Sequence, residues 1–437
     1  MTDASKQDQT EPTLSPRTRP DGRSAGSASD RNRHEGAQAD TDATAGQAVT
    51  AGQGVTAAAG FRAAGATAGL KASGTPDVAL VVNDGPEAAV AAVFTSNRAQ
   101  AHPVIWSRQV VGDGIARAVF LNSGGANCFT GAFGFQTTHM TAEAVAESLG
   151  IGAGDVVVCS TGLIGVGDQT FRDHVLHGVA LTKDALSETG GPDAATAIMT
   201  TDTKAKQSEV TEDGWTVGGM AKGAGMLAPG LATMLVVITT DALLGSDELD
   251  QALRAATRVT FDRVDSDGCM STNDTVVLMS SGASGVTPEV GDFQEALTAV
   301  CADLARQLQQ DAEGASHDIA IHVVNAASED DAVTVGRSVA RNNLFKAAVF
   351  GNDPNWGRVL AAIGTTDAEF DPYAVDVSMN GIRVCHAGAP DRPSDEVDLT
   401  PRDTDVLIDL GVGPYAATIL TNDLTHDYVH ENSAYSS

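Results

Sequence analysis

A threonine at the boundary between a loop and a buried strand is the residue best placed for chemistry. Residues 222–242 read KGAGMLAPGLATMLVVITTDA, where small residues are followed by a β-branched apolar run that predicts a strand beginning at Thr233. If the Ala232–Thr233 bond were cut, Thr233 would carry an α-amine beside its own hydroxyl. An α-amine titrates near pH ~8 and can act as the base that activates the hydroxyl. The pattern alone also fits a threonine that merely begins a core strand.

Two glycine-containing segments follow predicted strands. Residues 117–122 run into SGGAN, and residues 155–160 run into TGLIG, which begins at Thr161 and Gly162. A glycine-rich turn such as SGGAN often lines a site, and the backbone N–H groups left unpaired at TGLIG can face a developing negative charge. Both segments are also consistent with ordinary tight turns.

Other polar residues stand where a core offers no reason for them. Residues 199–203 read MTTDT, a cluster of short hydroxyl side chains. Glu313 lies in the last turn of a predicted helix, where a carboxylate opposes the helix dipole at a cost of ~0.3–1 kcal/mol. A cationic partner or a ligand would explain that placement, and so would a solvated carboxylate at modest cost.

The predicted elements that must position these residues alternate between strands and helices, which is typical of an α/β fold. Strands are predicted at 77–83, 88–95, 117–122, 155–160, 273–280 and 319–324, and helices at 141–149, 171–186, 292–308 and 331–345. Residues 406–435 alternate in polarity like further sheet strands. Residues 1–53 have almost no large apolar side chains, so they are predicted to be a disordered extension.

Composition excludes several classes of function. The net charge of −30 repels nucleic acid and anionic membranes, so neither is an expected partner. The five cysteines form no Cys-x-x-Cys pair and the ten histidines show no ligand spacing, so no metal site is expected. No apolar run approaches the length of a membrane span, and the cysteine usage is that of a reduced, cytoplasmic protein.

Several long motifs resemble one family, the bifunctional ornithine acetyltransferases (glutamate N-acetyltransferases, ArgJ) of arginine biosynthesis. They are KGAGMLAPGLATMLVVITTDA, NSGGANCFTG, CSTGLIG, MTTDT, STNDTVVLMSSGAS, FGNDPNWGRVLAAIG and ENSAYSS. The resemblance implies an ArgJ- and DmpA-like layered α/β fold with two sheets between helix layers. It also implies self-cleavage between Ala232 and Thr233 into an α chain (54–232) and a β chain (233–437) that form one globular unit.

The resemblance implies a catalytic role for three residues. Thr233 would be the nucleophile, with its α-amine as general base, and would carry the acetyl group from N-acetyl-L-ornithine to L-glutamate as an acetyl-threonine. Thr161 and Gly162 match the oxyanion-hole pair of the family. Such a donor typically contributes ~2.7–4 kcal/mol to transition-state stabilisation.

Substrate contacts also carry over from the resemblance. Lys222 would face a substrate carboxylate and Glu313 a substrate ammonium, while the C-terminal residues Asn432 and Ser437 would close the pocket. Thr200 is the expected contact from the hydroxyl cluster, although its neighbour Thr201 matches nearly as well. The substrate-binding set is Thr200, Lys222, Thr233, Glu313, Asn432 and Ser437.

The sequence departs from the family pattern near the presumed site. The family usually has Asn in place of Gly125 and Ala-Cys in place of Cys128 and Phe129. After Gly165 it usually has an acidic residue, where Val166 stands here.

The resemblance implies no cofactor for the transfer, acetyl-CoA as an additional substrate in some members, and an α2β2 assembly of the two chains. Two alternatives remain open at this point. One is an N-terminal-nucleophile amidohydrolase or aminopeptidase of the same fold that uses water as the acceptor. The other is a binding protein that keeps the loop and never cleaves, which a single intact chain would favour.

Overall fold

In the computed structural model of the chain, residues 52–228 and 234–434 are described, and they form a layered α/β fold. Residues 1–51, 229–233 and 435–437 lie outside the described part. The prediction of a disordered N-terminal extension therefore falls almost wholly outside it, as do the predicted cleavage site and the last predicted substrate contact.

The described residues contain the following elements. The strands are β1 (Phe61–Ala66), β2 (Val78–Asn83), β3 (Ala89–Phe94), β4 (Ala118–Ser123), β5 (Val156–Thr161), β6 (Lys206–Glu212), β7 (Trp215–Lys222), β8 (Leu235–Thr240), β9 (Thr275–Ser280), β10 (Asp318–Ala326), β11 (Asp376–Met379), β12 (Ile382–His386), β13 (Ala389–Pro390), β14 (Asp403–Asp409) and β15 (Tyr415–Asn422). The helices are α1 (His102–Val110), α2 (Gly131–Leu149), α3 (Gln169–Ala185), α4 (Gly191–Ala197), α5 (Ser246–Val259), α6 (Val290–Gln310), α7 (Glu329–Ala340), α8 (Asn343–Phe350), α9 (Trp356–Ile363) and α10 (His426–Ala434).

Two sheets pack face to face between helices. The four-stranded sheet has the order β1-β2-β4-β5, and the five-stranded sheet has the order β3-β9-β8-β7-β6. Side chains alternate along β8 because successive strand residues point to opposite faces. Leu235 and Val237 join the core between the sheets, whereas Val236 and Ile238 join the core shared with α5 and α6. The predicted arrangement of sheets between helix layers is confirmed.

The five-stranded sheet mixes strands from both sides of the predicted cleavage site. β3, β6 and β7 precede residue 229, and β8 and β9 follow residue 233. β7 and β8 pair antiparallel, with Lys222 opposite Leu235, and β8 pairs parallel with β9, with Leu235 beside Thr275. The end of β7 and the beginnings of β8 and β9 therefore meet at one edge of the sheet.

The C-terminal third of the chain differs most from the sequence-based expectation. A third sheet, with the order β13-β12-β11-β14-β10-β15, has its own core with α7, α8 and α9 and was not predicted. The helix predicted at 331–345 is two helices, because the Asn342 side chain accepts a hydrogen bond from Phe345 N (3.0 Å) and begins α8. The strand pattern predicted through 435 is wrong after β15, where α10 begins.

Candidate active site

Five separate segments converge on one pocket of about 320 Å³. They are the end of β5, the loop after α4, the end of β7, the turn after α6, and α10. The residues that line the pocket are Thr161, Gly162, Leu163, Ile164, Thr200, Thr201, Lys222, Gly225, Met226, Glu313 and Asn432. Every predicted catalytic or substrate-binding residue that the structure describes is in this set.

The Thr161–Gly162 corner is built by close backbone contact with the neighbouring glycine loop. Thr161 ends β5, and its carbonyl accepts hydrogen bonds from the N–H groups of Gly124 and Gly125, both at 3.0 Å. Gly162 has φ +121°, and a Cβ there would lie 2.6 Å from Gly125 N. Because that conformation and that approach both require glycine, the corner cannot carry a larger residue without shifting.

Lys222 is the last residue of β7 and is 1% exposed, so its ammonium group forms part of the buried pocket wall. Its Nζ donates to Thr161 Oγ1 at 3.3 Å. An ammonium has only donors, so this contact uses the threonine oxygen and leaves the Thr161 hydroxyl proton for donation toward the pocket. The pair can therefore present a positive charge and a hydroxyl donor to the same ligand.

Burial lowers the pKa of Lys222, because the charged form loses its hydration. The Asp202 carboxylate is the strongest influence that raises the Lys222 pKa, and Lys206 lowers it further. Asp274 and Glu313 also favour the charged form. The balance of these neighbours decides at which pH the site holds a cation.

The hydroxyl cluster places both candidate threonines at the pocket. Thr200 and Thr201 both line it, so the choice between them stays a prediction. Asp202 organises the loop, because its Oδ2 accepts from Thr200 N at 2.9 Å and lies 3.5 Å from Thr200 Oγ1.

Glu313 and Asn432 form another part of the pocket wall. Asn432 on α10 donates from Nδ2 to Glu313 Oε2 at 2.9 Å. Glu313 N donates to the Ala224 carbonyl at 3.0 Å, which ties the turn after α6 to the segment after β7. A Cβ at Gly225 would lie 2.6 Å from Glu313 Oε2, so the glycine makes room for the carboxylate. The carboxylate thus has a fixed position and one amide donor.

The predicted nucleophile and cleavage site, Thr233 and Ala232, lie outside the described residues, as does Ser437. The flanking residue Met234 is described, and its N–H donates to Asp274 Oδ1 at 3.1 Å. Burial raises the pKa of Asp274 well above its ordinary value. Sequence reasoning missed this carboxyl group, although STNDT was recognised as a family motif.

The departures from the family pattern lie beside the pocket without lining its described wall. A Cβ at Gly125 would lie 2.6 Å from Phe171 Cε2 and 3.0 Å from Val166 Cγ1, so the glycine at 125 accommodates the valine at 166. Cys128 is buried, and Phe129 is 72% exposed with φ +56°. A larger residue at 125 would therefore have to displace Phe171 and Val166.

Two further properties concern residues 52–228 and 234–434. No helix there is long and apolar enough to cross a membrane. In the same ranges, no group of three His, Cys, Asp or Glu side chains is arranged to hold a metal ion.

Comparison with known proteins decides the family. Residues 62–437 match the model of the ArgJ family. The chain belongs to the ArgJ family. The family assignment made from the sequence motifs is therefore confirmed.

Curated relatives match this ArgJ-family chain over nearly their whole length. The arginine biosynthesis bifunctional protein ArgJ of Streptomyces coelicolor is 65% identical over 374 residues, which cover 86% of this chain and 97% of that protein. The protein of the same name from Thermobifida fusca is 58% identical over 374 residues, with the same two coverages. A crystal structure of ornithine acetyltransferase complexed with ornithine from Mycobacterium tuberculosis is 53% identical, covers 43% of this chain and 100% of that chain, and has a TM-score of 0.41.

Proposed function

We propose that this ArgJ-family chain is an acetyltransferase of arginine biosynthesis that moves the acetyl group of N-acetyl-L-ornithine to L-glutamate. One observation carries the assignment beyond family membership. Thr161, Thr200, Lys222, Glu313 and Asn432 were assigned as site residues from separate segments of the sequence, and they line a single pocket. The pocket thus combines a cation, a carboxylate and hydroxyl donors, which suits zwitterionic amino-acid substrates.

The proposed reaction proceeds in two acyl transfers. The Thr233 hydroxyl attacks the acetyl carbonyl while its α-amine takes the hydroxyl proton. The tetrahedral oxyanion is stabilised by donors at Thr161 and Gly162 and collapses to acetyl-threonine, and ornithine leaves with the proton on its nitrogen. The glutamate amine then attacks the acetyl-threonine, N-acetylglutamate leaves, and Thr233 regains its proton.

Two walls of the pocket would hold the substrates. The Lys222 ammonium would bind a substrate carboxylate, because a charge-assisted hydrogen bond in a buried wall is both strong and directional. Glu313 would bind the ornithine ammonium, with Asn432 fixing the carboxylate by the 2.9 Å contact. Thr200 and Ser437 complete the proposed set of substrate contacts.

Self-cleavage between Ala232 and Thr233 would supply the α-amine that the mechanism requires. The sheet supports this proposal, because β7 before the bond and β8 after it are paired neighbours. An α chain of residues 54–232 and a β chain of residues 233–437 would therefore stay together after cleavage. We propose that two such pairs form an α2β2 assembly in the cytoplasm.

The name of the relatives includes the word bifunctional, and we propose a second reaction in which acetyl-CoA acetylates glutamate at the same threonine. Neither reaction as proposed requires a cofactor or metal, and the strongly negative surface makes nucleic acid or a membrane an unsuitable partner.

The test is to follow ornithine release from N-acetylornithine with and without glutamate. The proposal predicts release that depends on glutamate and an equal amount of N-acetylglutamate. Equal release of ornithine and free acetate without glutamate would instead identify a hydrolase that uses water. Glutamate-dependent N-acetylglutamate formation from acetyl-CoA tests the second reaction separately.

A further inference from the structure

A buried charge cluster lies directly behind the pocket. Lys206 begins β6 and is 0% exposed, and its Nζ donates to Asp202 Oδ1 and to Asp311 Oδ2, both at 2.6 Å. Both carboxylates are buried as well. A buried ion pair is costly to desolvate, and it does not by itself indicate a gain in stability. The cluster therefore invites a functional explanation.

Asp202 connects this cluster to the Thr200 loop and to the end of β7, which both line the pocket. Its Oδ2 accepts from Thr200 N at 2.9 Å, and its Oδ1 accepts from Gly223 N at 2.7 Å. Gly223 directly follows Lys222 at the end of β7. One carboxylate thus fixes the backbone of a pocket hydroxyl residue and the backbone beside the pocket cation.

Asp311 connects Lys206 to the part of the pocket wall that contains Glu313. It accepts from Thr203 N at 3.0 Å and also from the Thr203 hydroxyl. It stands two residues before Glu313, in the turn that carries the proposed ammonium-binding carboxylate. Lys206 consequently links the hydroxyl loop to the Glu313 turn through two short hydrogen bonds.

The negative charge of Asp202 also favours the charged form of Lys222. Titratable groups from five parts of the fold influence the pKa of Lys222. They are Lys71, Asp202, Lys206, Asp274 and Glu313. Among the carboxylates, Asp202 acts most strongly in favour of the charged form. Burial alone would raise the pKa of Asp202, but Lys222 and Lys206 outweigh burial and hold that pKa at about 2. Asp202 is therefore an anion throughout the neutral range.

We propose that Asp202, anchored by Lys206, is a positioning residue for the acetyl transfer that fixes the Thr200 loop and keeps Lys222 charged for a substrate carboxylate. The inference rests on the proposed function, because it takes the ligand of Lys222 to be an amino-acid carboxylate. It adds a residue that touches neither the reacting atoms nor the substrate.

The experiment measures KM and kcat for N-acetylornithine between pH 6 and 10 in the full-length wild type and Asp202→Asn. Asparagine keeps one acceptor oxygen and replaces the other with an amide donor, so one backbone contact of Asp202 is lost together with the charge. Lys206 keeps its bond to Asp311, so the fold should persist. Loss of the nearby anion should move the rise of KM with pH to lower pH by ~1–3 units. Above the midpoint this corresponds to a KM about tenfold higher or more, with kcat changed less.

Lys206→Gln provides an independent second variant with the opposite sign. Glutamine can still donate to the two carboxylates, but removal of the positive charge should move the KM profile to higher pH, since Lys206 lowers the pKa of Lys222. If Asp202→Asn fails to fold, an unchanged profile in Lys206→Gln still overturns the proposal, because the buried charges would then not control the charge of Lys222.

Asp241→Asn is the matched control. Asp241 is also buried and also accepts two backbone N–H groups, from Thr216 (2.7 Å) and Ala59 (2.9 Å), but it is not among the described residues that line the pocket. The control should keep the wild-type KM profile. An unchanged profile in either Asp202→Asn or Lys206→Gln, or the same shift in Asp241→Asn, would overturn the proposal. A wild type that transfers no acetyl group would instead overturn the proposed function.

Discussion

Replacement of Lys222 by methionine tests the proposed carboxylate contact, because it removes the charge and keeps an unbranched side chain that is only one atom shorter. Lys222 is 1% exposed, and its Nζ contacts Thr161 Oγ1 at 3.3 Å in the pocket wall. A ligand can therefore contact the ammonium group only from inside the pocket. Asp202 would keep its 2.6 Å contact with Lys206 in the variant, so this buried carboxylate retains a cation. The fold should therefore survive the substitution.

The magnitude follows from the type of contact that is lost. A hydrogen bond to a charged group contributes ~1.5–3 kcal/mol. At ~1.4 kcal/mol for each factor of ten, Lys222→Met should raise KM about 10- to 150-fold for both N-acetylornithine and glutamate. The rise should be common to both substrates because both carry an α-carboxylate.

The assay is initial-rate kinetics at saturating second substrate, with the chain composition checked on a denaturing gel. Two chains should still be produced, since the lysine is proposed to bind substrate. Lys204→Met is the control, because Lys204 is exposed and belongs to the same loop-to-strand region without lining the described pocket wall. A KM within about twofold of wild type in Lys222→Met, or an equal rise in the control, would refute the assignment.

Three further outcomes are expected. Gly162→Ala should lower the free energy of unfolding in urea by ~1–3 kcal/mol, because residue 162 has φ +121° and a Cβ would lie 2.6 Å from Gly125 N. An unchanged urea midpoint would contradict this geometry. Asn432→Ala should raise KM for N-acetylornithine by ~2- to 10-fold with little change in stability, because it removes one hydrogen bond to Glu313; an unaltered KM would exclude Asn432 from the site. The stability advantage of wild type over Asp202→Asn should be full at pH 7 and shrink below pH 5, because the folded-state pKa of about 2 lies below the unfolded one; an advantage that grows on acidification would reverse the reasoning.

The sequence was sufficient to predict a helix where the residues that begin and end it lie within or next to that helix. The helix predicted at 171–186 is α3 (Gln169–Ala185), and Asp168 begins it by accepting a hydrogen bond from Phe171 N at 2.9 Å. The end of the chain shows the opposite case. α10 has no buried residue in its described part, so it lacks the apolar stripe from which a helix is recognised. Its start is fixed by Tyr428 N donating to Thr425 Oγ1 at 2.9 Å, a capping signal that the alternating pattern upstream obscured.

The site could be predicted in part because family motifs mark residues that reach the pocket. Apart from the pair Asp202 and Lys206, the supporting charges could not, because their partners are distant in the sequence. Lys206 and Asp311 are 105 residues apart, and only the packing of β6 against α6 brings their side chains together. The same holds for Asp274, whose contact with Met234 N depends on the pairing of β8 with β9.

The central claim is that Thr233 becomes an N-terminal nucleophile, and the intact mass of the protein under denaturing conditions tests it most directly. Wild type and Thr233→Ala should be measured side by side. The proposed mechanism predicts two fragments that meet between Ala232 and Thr233 in the wild type and one uncut chain in the variant. A single uncut mass in both proteins would contradict the claim, because Thr233 would then have no α-amine with which to activate its hydroxyl.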